Sequence, residues 1–206
     1  MGPGVIQLEL IERGKRSYAG GNRLEELVAL YRAVFAEPPS SQWWSKESVV
    51  AMFERYFQTG SVLGAFSGDR LVGFAVVQPL AVASIIGQRT WIEPEQQWRL
   101  LDWQLLDEFG LLPSCGYLAD LGVAATHRRQ GIANELVRLG CQQYPDKPML
   151  LRVSACKRDA ISLYEKLGFA RLPGLEQQPQ YRQQDGSVKT ESKFLMVKDT
   201  TSLSGY

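Results

Sequence analysis

Residues 118–137 read LADLGVAATHRRQGIANELV, and they limit the fold more than any other stretch. The opening six, 118–123, are apolar enough for a buried strand. Small and polar residues follow over 125–129, then Gln130-Gly131. Ile132, Leu136, Val137 and Leu139 then recur at helical spacing. The stretch is therefore expected to form a strand, a tight turn and a helix, with Arg128-x-x-Gly131-x-Ala133 in the turn.

That spacing has a physical meaning. The first amides of a helix lack intrahelical partners and carry partial positive charge, so anions collect there. Gly131 has no Cβ to keep a bulky diphosphate from the backbone. Ala133 keeps the first turn open, and Arg128 and Arg129 supply donors that match phosphate. A Walker loop or a dinucleotide fingerprint would need other glycine spacings, which Gly122 and Gly131 do not meet. The plain alternative is an ordinary strand-to-helix turn with two solvated arginines.

The rest of the chain bounds the setting. Its 206 residues suffice for one domain with a substantial core. A net charge of +1 argues against a dedicated nucleic-acid or anionic-membrane binder. The three cysteines, Cys115, Cys141 and Cys156, form no C-x-x-C, and His127 is the single histidine, so no metal site is expected. Sparse, odd-numbered cysteines suit a reducing cytoplasmic location. Neither a signal-peptide core nor a run of about 18 apolar residues is present, and no membrane association is expected.

Taken in order, residues 5–11 read as a strand and 23–35 as a helix that Pro38-Pro39 cannot continue. A second helix starts after Ser45, with Val49, Met52, Phe53 and Tyr56 inward. Strands over 61–66 and 71–78 flank a turn at 67–70. Residues 80–113 form an insert with a helix expected over 94–109. After the central strand and helix come a strand over 149–153, a helix over 158–167, and closing strands over 169–172 and 194–197. Between the last two, residues 177–184 are expected to be a solvated loop, with a turn at Asp185-Gly186. Residues 199–206 are expected to be a loose tail. The order β-α-α-β-β-insert-β-α-β-α-β-β describes one α+β (α/β) domain over 1–206, its mixed, mostly antiparallel sheet flanked by helices.

A second run, residues 159–169, is on its own an amphipathic helix. Ala160, Leu163, Tyr164 and Leu167 lie on one face. A tyrosine there is ordinarily a core residue.

Together the two runs resemble the GCN5-related N-acetyltransferases (GNAT family). Arg128, Gly131 and Ala133 match that family's [QR]-x-x-G-x-[GA] pattern. Ala160, Leu163, Tyr164, Gly168 and Phe169 match its A-x-x-[LF]-Y-x-x-x-G-F pattern. The resemblance covers 117–169 well, and the remainder by order of elements. It implies a GNAT-like fold, although the helical insert between the third and fourth strands departs from the family's short hairpin. It also implies acetyl-CoA as acyl donor, with no metal.

The pyrophosphate would then meet the loop of Arg128, Arg129, Gln130, Gly131, Ile132, Ala133 and Asn134. The pantetheine arm would lie along the strand edge at Leu121, Gly122, Val123 and Ala124. Ala160 and Tyr164 would border the cofactor, with Tyr164 protonating the departing thiolate. Lys157 stands where the family often has an asparagine; it would reach a CoA phosphate or be solvated.

The implied reaction is direct attack of a primary amine, on a small molecule or peptide, upon the thioester in a ternary complex. Asp120 is the first candidate for the base, because a carboxylate in a central strand must be paired or used. The equal alternative is a structural hydrogen bond to the neighbouring helix or a loop amide. Tyr117, Glu93 and Glu95 are lesser candidates, Ser154 could orient a water, and His127 belongs with the phosphate loop. Trp43, Trp44, Trp98 and Trp103 would either wall the acceptor or pack in the core. The other function classes are a catalytically silent acyl-CoA-binding regulatory module and a purely structural domain. A monomer or homodimer is expected.

Overall fold

A computed structural model describes residues 5–14, 21–83, 110–111 and 114–199. The expected helix over 94–109, with Trp98, Trp103, Glu93 and Glu95, lies outside the described residues, as do most of the 80–113 insert and residues 200–206. The elements run β1 (Ile6–Leu10), α1 (Arg23–Ala36), α2 (Lys46–Thr59), β2 (Ser61–Ser67), β3 (Arg70–Pro79) and β4 (Gly116–Val123). Then follow α3 (Ile132–Gln142), β5 (Met149–Ser154), α4 (Arg158–Lys166), β6 (Ala170–Gln177), β7 (Gln180–Arg182), β8 (Val188–Thr190) and β9 (Lys193–Lys198). The chain divides into two compact units, Met1–Val77 with Asp120–Gln143, and Gln78–Ala119 with Tyr144–Tyr206.

In the first unit β1, β2 and β3 are antiparallel, with Leu8 opposite Ala65 and Leu63 opposite Ala75. The turn between β2 and β3 sits at Gly68-Asp69, within the expected turn. Helices α1 and α2 begin where the sequence places polar caps. Asn22 Oδ1 accepts from the Leu24 amide at 3.0 Å, and Ser45 Oγ from the Ser48 amide at 3.1 Å. On α1 the helical spacing picks out Leu24, Leu27, Val28, Tyr31 and Phe35, of which Leu27, Val28 and Tyr31 are buried and Leu24 and Phe35 half-buried; on α2 the four expected, Val49, Met52, Phe53 and Tyr56, are all buried. Tyr31, Phe53 and Phe74 form an aromatic cluster, with ring centroids 5.8 to 5.9 Å apart. The last residues of β4 run beside β3. The ring of Phe74 lies so close to Gly122 that a Cβ there would stand 2.5 Å from it, so only glycine fits.

In the second unit the first residues of β4 pair parallel with β5, Tyr117 opposite Leu150. Strands β5 and β9, and β9 and β6, are antiparallel. The sheet is thus mixed, as expected. Its core contains Leu80, Cys115, Tyr117, Leu150, Leu172 and Leu195.

One expectation fails here. Residues 177–184 are not a solvated loop: Gln180–Arg182 pairs with Val188–Thr190 in a hairpin, Tyr181 opposite Lys189. Gln177, Pro179, Tyr181 and Gln183 are buried in strict alternation with exposed neighbours. The strand period is present, but glutamines hide it. Their amides are satisfied inside, Gln177 Oε1 by Arg152 Nη1 at 3.0 Å and Gln183 Nε2 by the Tyr181 carbonyl at 3.3 Å. The expected turn at Asp185-Gly186 is present, with Asp185 Oδ1 accepting from the Ser187 amide at 2.9 Å.

Candidate active site

The strand-turn-helix of 118–137 forms as expected, and its turn is tied down locally. The Ala124 amide donates to the Val72 carbonyl of β3 at 2.8 Å, and the His127 amide to the Ala124 carbonyl at 2.9 Å. Residues 125–127 make one 3-10 turn. Arg129 has φ 62°, and Gly131 caps α3 at φ 81° and ψ −7°. A left-handed residue followed by a helical one points successive amides into one concavity, a known anion-binding arrangement.

No side chain caps α3. The amides of its first turn are therefore left for another acceptor. A Cβ on Gly131 would meet nothing within 4 Å, so glycine is required by φ, and the space beside the loop is open. An open space, a positive φ and an uncapped helix start together suit a diphosphate.

The flanking side chains divide by role. Arg128 Nε donates to the Val123 carbonyl at 3.0 Å, and its Nη2 pairs with Glu37 Oε2 at 2.6 Å. The arginine is thus held across the end of β4 instead of waving in solvent. Arg129 and Gln130 are exposed. Asn134 Oδ1 accepts from Arg138 Nε at 2.7 Å, which occupies that side chain. His127 Nδ1 lies 2.9 Å from Thr126 Oγ1, within the loop. Ile132 is buried, whereas Ala133 is half-buried at the open first turn. At the end of β4, Gly122 and Val123 are buried and Leu121 half-buried, as is Ala124 just beyond the strand.

Asp120 is half-buried, and Tyr56 on α2 donates its hydroxyl to Asp120 Oδ2 at 2.6 Å. The expected bond to a neighbouring helix therefore exists. It does not by itself exclude a role in proton transfer, since a carboxylate has several acceptor sites. Near the same helices Trp44 is packed, edge-on to Tyr31 at 5.7 Å with its Nε1 donating to Gln42 Oε1 at 3.1 Å. Trp43 is 45% exposed. Of the two tryptophans among the described residues, Trp43 is the exposed one.

In the second unit Tyr164 is buried on α4 and meets Phe169 edge-on at 5.8 Å. Ala160 is half-buried, and Lys157 stands at the start of α4 with its amide donating to the Ser154 carbonyl at 3.1 Å. Tyr117 packs in the core beside Cys115, whose thiol burial pushes up to about 12.

A group that sequence reasoning missed sits nearby. Glu191 is 8% exposed, with Lys193 Nζ at 3.5 Å and Cys156 Sγ at 3.8 Å. Burial pushes its carboxyl up, but Lys193, the Ser154 hydroxyl and Lys157 outweigh that and hold it below its ordinary value. Nothing in its polar stretch of sequence marks it. Among the described residues no group of three or more His, Cys, Asp or Glu is placed to hold a metal. None of the described helices is long and apolar enough to cross a membrane.

The sequence model of the Acetyltransferase (GNAT) family matches residues 24–169. None of the curated proteins matches. Solved structures are similar across the chain. NAA60 of Arabidopsis thaliana, solved in complex with acetyl-CoA, is 18% identical with a TM-score of 0.62, over 96% of this chain and 99% of that one. The ribosomal-protein-S18-alanine N-acetyltransferase of Escherichia coli is 16% identical with a TM-score of 0.60, over 98% and 99%. An N-acetyltransferase of Staphylococcus aureus Mu50 is 13% identical with a TM-score of 0.61, over 95% and 99%. At these identities the likeness shows the fold.

Proposed function

The chain belongs to the acetyltransferase (GNAT) family, and from that premise we propose that it is an N-acetyltransferase. It would move an acetyl group from acetyl-CoA to a primary amine by direct attack in a ternary complex, the chain working as one catalytic domain. The observation that carries this reading is the left-handed Gly131 at the uncapped start of α3, with Arg128 alongside. Amides of 129–134 hold the pyrophosphate, and the β4 edge from Leu121 to Ala124 takes the pantetheine amides. That NAA60 was solved with acetyl-CoA supports the choice of donor.

The residues then have distinct tasks. The attacking amine must shed a proton, and Asp120 is the proposed acceptor of it. Tyr56 donates to one carboxylate oxygen of Asp120 and holds the group in place. A β4 amide steadies the oxyanion of the tetrahedral state. Tyr164 supplies the proton for the departing thiolate, and Lys157 and Ala160 border the cofactor. Trp43 belongs to acceptor recognition.

The test is a screen of primary amines and peptide N-termini with acetyl-CoA, reading free thiol. Release that depends on the amine, with acetylated amine found by mass, supports the reading. Binding of acetyl-CoA with no release across the panel would instead favour a silent acyl-CoA-binding regulatory module.

A further inference from the structure

Glu37 is the first residue after α1, directly before Pro38-Pro39. Its carboxylate takes Nη2 of Arg128, while Nε of the same guanidinium is taken by the Val123 carbonyl. These contacts use two of the five guanidinium N–H donors, so both Nη1 hydrogens and the second on Nη2 are left to meet a phosphate. The pair is partly exposed, 42% and 36% for the two side chains, and such pairs contribute little to folding. Its consequence falls on whatever binds beside Arg128.

We propose that Glu37 sets the affinity for CoA-type ligands by weakening it. The inference rests on the loop at 124–134 being the pyrophosphate site. Two effects of the carboxylate oppose each other there. It orients Arg128, which favours binding, and it places a negative charge beside a diphosphate, which disfavours binding. Orientation is already secured by the bond to the Val123 carbonyl, so Glu37 adds little to it. The repulsion is less dispensable. A carboxylate sharing one guanidinium with a phosphate lies well inside the Debye length of about 8 Å at physiological salt. The diphosphate carries more than one charge, so repulsion wins.

Acetyl-CoA and CoA share the diphosphate, so both are weakened equally. The gain is in turnover: CoA leaves sooner, and in many enzymes product release limits the rate. Weaker binding of donor is tolerable when it is uniform between ground and transition states.

The experiment is calorimetric titration of acetyl-CoA and of CoA into the parent and Glu37→Gln, at low and high salt. Glutamine keeps the length and a hydrogen bond to Arg128 but removes the charge. Glu37→Gln should bind both ligands about three- to tenfold tighter at low salt, and the advantage should shrink at high salt. In stopped flow, CoA should leave it more slowly by the same factor. Unchanged or weaker binding would overturn the proposal, as would tightening that ignores salt. If the parent binds neither ligand, the pyrophosphate reading itself falls.

Discussion

The Tyr56 hydroxyl and Asp120 Oδ2 are 2.6 Å apart, though 64 positions separate them in the chain. The tyrosine cannot easily swing away. It is 5% exposed, its ring meets Phe53 edge-on at 5.9 Å, and the Arg55 guanidinium lies 5.5 Å over its face. An aromatic core thus aims a carboxylate on β4.

Two substitutions separate the roles of this pair. Asp120→Asn keeps an acceptor for Tyr56 and removes the basic oxygen. It should fold normally, bind acetyl-CoA within twofold of the parent, and lose on the order of 10²-fold in turnover. Tyr56→Phe leaves the carboxylate short of a bond to a charged group, and should lower stability by about 1.5–3 kcal/mol in urea denaturation. Normal turnover in a folded Asp120→Asn would make the pair purely structural.

Gly131 offers a paired control. Its φ of 81° matches the 84° of Gly186, and neither glycine has an atom within 4 Å of where a Cβ would stand. Gly131→Ala and Gly186→Ala should therefore cost about the same stability, roughly 1–2 kcal/mol each for a left-handed residue with a Cβ. Only Gly131→Ala should weaken acetyl-CoA binding. Equal affinities in the two variants would mean that the α3 start is not the phosphate site.

Much of this was legible beforehand. Helices α1, α2 and α3 carry clear periodicity, the first two behind polar caps, and the β2–β3 hairpin has its Gly68-Asp69 turn. The same holds for the shape of the loop at 124–131, where residue type and spacing mark a turn between a strand and a helix. Contacts distant in the chain were not legible. Tyr56 reads as one more inward aromatic until the fold sets it against Asp120, and Glu37 reads as a helix-end acid until it meets Arg128. The β7–β8 hairpin was missed because burial there falls on glutamines, which pattern reading treats as solvent-facing.

Glu191 should make stability depend on acid. Its carboxyl is held below the ordinary 4.5, so the folded protein keeps the proton off more strongly than the unfolded chain. The stabilisation is complete above about pH 4.5 and is lost as pH falls through the lowered value. The stability difference between the parent and Glu191→Gln should be flat above that range and change only below it. Denaturation at a series of pH values checks this; a difference that varies between pH 6 and 8 would contradict it.

Tyr164→Phe keeps the ring against Phe169 and removes only the hydroxyl. If Tyr164 supplies the leaving-group proton, turnover should drop by about 10²-fold. Acetyl-CoA affinity and melting temperature should stay near the parent's. An acyl donor with a more acidic thiol should recover part of the loss. Full activity with acetyl-CoA would leave Tyr164 as a core aromatic.

The central claim is that the start of α3 receives the pyrophosphate of acetyl-CoA. Backbone amide spectra of the uniformly ¹⁵N-labelled protein, titrated with acetyl-CoA, test it most directly. The account predicts saturable shifts concentrated on Gly131, Ile132, Ala133 and Asn134, with Arg129 close behind. Shifts confined to other elements, or none at saturating ligand, would contradict it.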